Sequence, residues 1–197
     1  MRVKITLEYD GSKLYGYQIQ KKIKNTVAKR IQNSLKILNI SDIPIASGRT
    51  DKGVHATGQV IHINLPSFWN DLDKLAYSLN KILYPEIRIK RIEKVNKNFH
   101  ARYDAKKRVY RYILKDGDSN PFYDDFITFE KNINFENLQN KIKLFEGKHD
   151  FRYYMKLGSD TKSSVRVIYK AFAYRYKDFI VLYFEANGFL RTQIRFM

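Results

Sequence analysis

The sequence predicts an α+β fold of two halves. Each half runs strand-helix-strand-strand-helix-strand, and both contribute antiparallel strands to one sheet with helices on one side. Three observations predict this. Val3, Ile5, Leu7 and Tyr9 alternate with polar neighbours, the period of a half-buried strand. Val27, Ile31, Leu35 and Leu38 follow at spacings of four, four and three, the period of an amphipathic helix. Strand and helix patterns then recur in the same order over the remaining chain of 197 residues, enough for two α+β halves.

Taken in order, the elements bear this out as an expectation. Residues 10–25 hold Gly11, Gly16 and several lysines and read as a loop. Asn25 or Thr26 caps the helix that begins near Val27. Strands are expected at about 43–47 and 58–65. Leu72, Leu75, Ala76, Leu79 and Leu83 mark a second helix, stopped by Pro85, and a strand near 86–95 closes the half. This β-α-β-β-α-β order is ferredoxin-like and assigns residues 1–104 to the first half. In the second half, 105–197, "RVYRYIL" is a strand and a shorter one is expected near 126–129. Phe135, Leu138, Ile142 and Phe145 predict a helix capped at Gly147. "VRVIYKAFAYRY" and "FIVLYFEA" are strands joined by a hairpin at Lys177-Asp178. Leu190, Ile194 and Met197 then open a helix, so this half is expected to lack its last helix and strand.

Composition narrows the function. Lys plus Arg number 37 against 20 Asp plus Glu, a formal net charge of +17. Such an excess predicts a polyanionic partner, above all nucleic acid. Fifteen Tyr and 13 Phe fit base stacking as well as core packing. There is no cysteine, which excludes disulfides, thiolate chemistry and Cys-ligated metals. His55, His62, His100 and His149 have no metal-ligand spacing, so structural or surface roles and no metal are expected. Neither a GxxxxGK[ST] phosphate loop nor a GxSxG elbow occurs. The start, "MRVKITLEYD", has no apolar leader, and a soluble cytoplasmic protein is expected.

One segment concentrates chemistry. "SGRTDKGVHATGQV" sets Asp51 between Arg49 and Lys52, with His55 close behind, in a loop joining two strands. Neighbouring cations favour an ionised carboxylate, and an ionised, positioned Asp is a nucleophile or a general base. The same cations hold nucleic-acid phosphates. The competing reading is a plain turn in which Asp51 caps local amides. A second cluster, "FHARYDAKKRVYRYIL", combines Arg102, Lys106, Lys107, Arg108 and Arg111 with Tyr110 and Tyr112. On a strand the two tyrosines share one face and Arg111 takes the other. They are equally readable as stacking platforms or as core residues.

Together these segments resemble the TruA-type tRNA pseudouridine synthases. "YDGSKLYGYQIQ", "GRTDKGVHATGQV", "FHARYDAKKRVYRYI", "FEGKHDF", "SSVRVI" and "NGFLRTQIRFM" are similar to family segments and follow in the family's order. The resemblance implies isomerisation of uridine to pseudouridine in the anticodon stem-loop of tRNA, at positions 38 to 40, with no cofactor. It implies Asp51 as the catalytic aspartate, Tyr110 stacked on the target base, Arg49 intruding into the RNA and Arg195 pairing with the Asp. Lys52, His55, Arg102, Lys106, Lys107 and Arg108 would hold tRNA. It also implies a homodimer. Tyr17 stands where the family usually has Trp, and Gln193 where it usually has Met. Family members run on for about one more helix and strand, so a C-terminally short version is expected. Two other readings compete: a non-catalytic RNA-binding protein on the same sheet, and an inactive fragment of the enzyme.

Overall fold

The computed structural model describes residues 1–158 and 161–197. The chain divides into two compact units, Met1–Ala105 and Lys106–Met197.

Unit 1 is built from β1 (Arg2–Tyr9), α1 (Val27–Ile37), β2 (Ile45–Ala46), β3 (Ala56–Asn64), α2 (Leu72–Leu83) and β4 (Ile87–Lys94). Its sheet has the order β2-β3-β1-β4, every neighbour antiparallel. The alternation of β1 becomes strict burial of Val3, Ile5, Leu7 and Tyr9. That face meets Val27, Ile31 and Leu35 of α1 and Leu75, Leu79 and Leu83 of α2 in one core. Each such aliphatic side chain contributes about 1.5–3 kcal/mol on burial. Thr26 caps α1 by accepting from the Lys29 amide, and Asp71 caps α2 by accepting from Lys74.

β2 is two residues long where a five-residue strand is expected. The Asp42 carboxylate takes the Asn64 amide that a longer β2 would engage, which ends the ladder there. β3 in turn begins at Ala56, two residues early.

Unit 2 holds β5 (Arg108–Asp116), β6 (Thr128–Glu130), α3 (Phe135–Ile142), β7 (Gly147–Asp150), β8 (Val165–Tyr176), β9 (Phe179–Ala186) and α4 (Gln193–Phe196). The sheet order is β6-β5-β9-β8-β7. β5 and β6 run parallel, and the other pairs are antiparallel. Its core joins Ile142 and Phe151 to Ile168, Ala171, Ala173, Phe184, Ala186 and Leu190.

Three expectations are corrected here. The hydrogen-bonded ladders among the described residues form two sheets, one in each unit, not one shared sheet. The second sheet is mixed, because β6 returns beside β5 through a connection that leaves it parallel. The helix expected to run to Gly147 stops at Ile142, followed by a single 3₁₀ turn over Lys143–Phe145. Glu146 is extended (φ −67°, ψ 146°), and its carboxylate accepts the Ala171 amide at 2.7 Å. Gly147 (φ 102°) therefore opens β7 and caps nothing. No helix among the described residues is long and apolar enough to cross a membrane.

Candidate active site

Residues 47–55 connect β2 to β3 and carry Arg49, Asp51, Lys52 and His55. Asp51 is half-buried, while Arg49 and Lys52 are exposed. The Asp51 carbonyl accepts from the Val54 amide at 3.2 Å. Gly53 sits inside this turn at φ 79°, a conformation that favours glycine. The turn is thus closed by backbone, which explains the "DKG" spacing without using the carboxylate.

The loop is held from behind by residues 9–17. The Tyr9 hydroxyl and Thr50 Oγ1 lie 2.8 Å apart, and the Tyr17 amide donates to the Thr50 carbonyl at 3.0 Å. His55 Nδ1 is 3.1 Å from the Gly11 amide nitrogen and 3.2 Å from Asp10 Oδ1. Bare, this nitrogen accepts from Gly11; protonated, it donates to Asp10. Either state ties the end of the loop to residues 10–11. Burial pushes the Asp10 carboxyl up, but hydrogen bonds from Ser12 and the nearby His55 and Lys13 hold it below the usual carboxylate range.

Two glycines let the segments touch. A Cβ on Gly11 would stand 2.2 Å from the Val54 carbonyl oxygen. One on Gly16 would stand 3.0 Å from the Thr50 carbonyl oxygen, and Gly16 also has φ 81°. At the other end Ser47 Oγ donates to Gln59 Oε1 at 2.8 Å, and Gln59 Nε2 donates to the Gly48 carbonyl at 2.9 Å. Lys52 Nζ lies 4.6 Å from the Tyr15 ring centroid, a cation–π contact.

Tyr17 is buried against this loop, and its hydroxyl has no hydrogen-bond partner among the described residues. Burial raises the phenol above its ordinary value, and the neighbouring Tyr9 adds to this. Removing a desolvated, unpartnered hydroxyl relieves a penalty. Tyr17→Phe is therefore expected to match the parent in thermal unfolding or to gain up to about 1 kcal/mol. A clear loss of stability would mean that the hydroxyl is engaged.

In unit 2 the remaining candidates sit on β5 and α4. Tyr110 is half-buried and meets Phe189 edge-to-face, with ring centroids 5.1 Å apart at 82°. Tyr112 shares that face, and its hydroxyl accepts from Thr128 Oγ1 at 2.9 Å. Lys107 Nζ is 2.7 Å from Glu185 Oε1. That hydrogen bond and the charge of Glu185 raise the Lys107 pKa, and the same contact lowers that of Glu185. Arg108 Nη1 donates to the Asn187 carbonyl at 2.8 Å. Both contacts lie within unit 2, and Lys107 stays exposed. Lys106 is exposed. Arg195 is exposed on α4, its amide bonded to the Thr192 carbonyl at 2.9 Å. Phe189 precedes α4 in the same "GFLR" segment.

Comparison with known proteins gives the family. A family model described as tRNA pseudouridine synthase matches residues 5–104 and 142–197. The tRNA pseudouridine synthase A of Wolinella succinogenes is 40% identical over 191 residues, covering 97% of this chain and 75% of that protein. The chain belongs to the tRNA pseudouridine synthase family. The namesake protein of Campylobacter jejuni is 38% identical over 195 residues, 99% of this chain and 81% of that protein. That of Helicobacter pylori is 40% identical over 196 residues, 98% and 79%.

Within unit 1 the structure gathers Arg49, Asp51, Lys52 and His55 on one clamped loop. Arg102 lies on a turn that follows Phe99. Within unit 2 Lys107 immediately precedes β5, and Arg108 and Tyr110 lie at its start. The supporting residues Tyr9, Asp10, Gly11, Gly16, Thr50 and Gln59 come from separate strand and loop segments, and no local pattern marks them as a group. Their signal in this family member is the pair of glycines in "YDG" and "YGYQ", placed where backbone must approach backbone. Among the described residues no group of three or more His, Cys, Asp or Glu side chains is arranged to hold a metal ion.

Proposed function

We propose that this chain isomerises uridine to pseudouridine in the anticodon stem-loop of tRNA, at positions 38 to 40, using Asp51 and no cofactor. The observation that supports it most is the glycine-tight clamp of residues 9–17 on the loop that presents Asp51. A turn that only links two strands needs no such support. A carboxylate that must meet one sugar carbon does, because displacement by about 1 Å costs on the order of 100-fold in rate.

In the reaction the N1–C1′ bond breaks, the uracil turns, and a C5–C1′ bond forms. The proton on C5 leaves and N1 ends protonated, so nothing is added or lost overall. Asp51 acts either as nucleophile at the ribose or as base at C2′. Tyr110 stacks on the turned base and assists removal of the C5 proton. Arg49 enters the RNA and holds the extruded nucleotide, and Arg195 is a further substrate-binding residue. Extruding the base costs a few kcal/mol. Stacking at about 1–3 kcal/mol per base offsets it. Lys52, His55, Arg102, Lys106, Lys107 and Arg108 contact the tRNA, within a chain whose net charge is +17.

The finer architecture belongs to the same reading. Unit 1 is the ferredoxin-like half that carries the catalytic loop. Unit 2 is a variant in which β5, β9 and β8 take the places of β1, β3 and β2. β6 occupies the position beside β5 that β4 holds beside β1. The protein works in the cytoplasm as a homodimer.

The test is to map pseudouridine in unmodified tRNA before and after incubation with the purified protein. New pseudouridine confined to the anticodon arm is the expected result. Binding without any new pseudouridine would favour an RNA-binding module and overturn the proposal.

A further inference from the structure

His62 lies on β3 with its neighbours Ile61 and Ile63 in the helix-covered core. Strand alternation therefore points His62 to the opposite face of the sheet, beside Lys4 of β1 and Ile45 of β2 in register. It is nevertheless only 3% exposed. What accompanies it there is the "FHARYD" segment, residues 99–104, at the end of unit 1.

The contacts are specific. His62 Nδ1 accepts the buried Ala101 amide at 3.1 Å. The His62 ring meets Phe99 edge-on at 6.1 Å and His100 at 4.9 Å. His100 stacks on Tyr103 at 4.2 Å, and its Nδ1 accepts the Arg102 and Tyr103 amides, each at 3.3 Å. The His100 amide donates to Asp104 Oδ2 at 2.8 Å, and Arg2 Nη1 donates to the Phe99 carbonyl at 3.1 Å. Arg102 lies over the Tyr103 ring at 5.9 Å. The turn is folded upon His100 and docked upon His62 and Arg2. Ala105 and Lys106 follow and lead into β5 and Tyr110.

We propose that His62 is a positioning residue for the isomerisation: as the neutral imidazole it docks the 99–104 turn, and so fixes Arg102 and the point where the chain leaves unit 1 for the strand bearing Tyr110. The inference rests on the proposed function. Docking needs Nδ1 bare, because a protonated ring donates from both nitrogens and cannot accept the Ala101 amide. Burial holds His62 below the ordinary imidazole range. Arg2 and His100 add to this, while Asp42 and Asp104 oppose it. The sign follows. A lowered folded-state value means that docking is intact above the unfolded imidazole value of about 6.5 and is lost as pH falls below it, through the folded value.

Two variants test the inference. His62→Asn places a non-titrating acceptor near the position of Nδ1, and His62→Leu removes the acceptor. The readouts are the rate of pseudouridine formation between about pH 8 and 5 and hydrogen exchange at the Ala101 amide. His62→Leu should lose about tenfold or more in rate and lose Ala101 protection. His62→Asn should keep both and lack the acid-side fall that the parent shows. Unchanged Ala101 protection in His62→Leu, or the parent's acid fall retained in His62→Asn, would overturn the inference. If His62→Leu does not fold, the pH profile of His62→Asn decides. Absence of pseudouridine with the parent protein would fail the proposed function, while the exchange at Ala101 would still report on docking.

Discussion

Asp51→Asn is expected to abolish pseudouridine formation, by at least about 10⁴-fold, while tRNA affinity stays within about twofold. The size follows from the chemistry: an amide is neither a nucleophile at a sugar carbon nor a base. The selectivity follows from the fold. The turn at Asp51 is closed by its own carbonyl and by Gly53, so the loop keeps its shape when the carboxylate is replaced by its near-isostere. Removing one negative charge from a loop with Arg49 and Lys52 does not weaken attraction to phosphate. Tritium release from tRNA labelled at uracil C5 measures turnover, and filter retention measures binding. Full turnover by Asp51→Asn would exclude the proposed role.

Gly11→Ala is expected to reduce turnover by about 100-fold without touching a substrate-facing group. The cause is space: the new methyl would lie 2.2 Å from the Val54 carbonyl oxygen and 2.5 Å from its carbon. Both belong to backbone and cannot rotate away, so residues 51–55 must move. Overpacking of this kind typically costs about 1–3 kcal/mol of stability. The fall should appear in kcat with little change in tRNA affinity, since the exposed cations remain. Gly58→Ala is the control, because a Cβ there meets nothing within 4 Å. A Gly11→Ala protein with parental kcat and parental thermal unfolding would show that the clamp is not needed.

How much of this was legible depends on the range over which each feature is encoded. β1, α1 and α2 announce themselves through local periodicity, and the structure buries most of the residues that the pattern marks, with Leu38, Leu72 and Ala76 only partly buried against the core. β7 could not be read, because "GKHD" is exposed at all four positions and carries no alternation. The division into two sheets and the parallel β5–β6 pair are decisions about partners, which no local pattern states. At the site, the charge arrangement around Asp51 is local and was visible. The clamp was not, since Tyr9 meets Thr50 across 41 residues and Gly11 meets His55 across 44. Nor does the basic run around Lys107 announce that its carboxylate partner is Glu185, 78 residues on.

The clamp also separates two properties that are usually entangled in an enzyme. Asp51 is located largely by peptide groups, by glycines and by side chains lying behind the loop. Arg49 is exposed, while Lys52 reaches back over the Tyr15 ring of the clamp. Exchange of Arg49 leaves those peptide and glycine contacts under Asp51 as they are. A lineage built on this scaffold is free to alter how it grips RNA at that exposed position, while the frame beneath Asp51 is inherited unchanged.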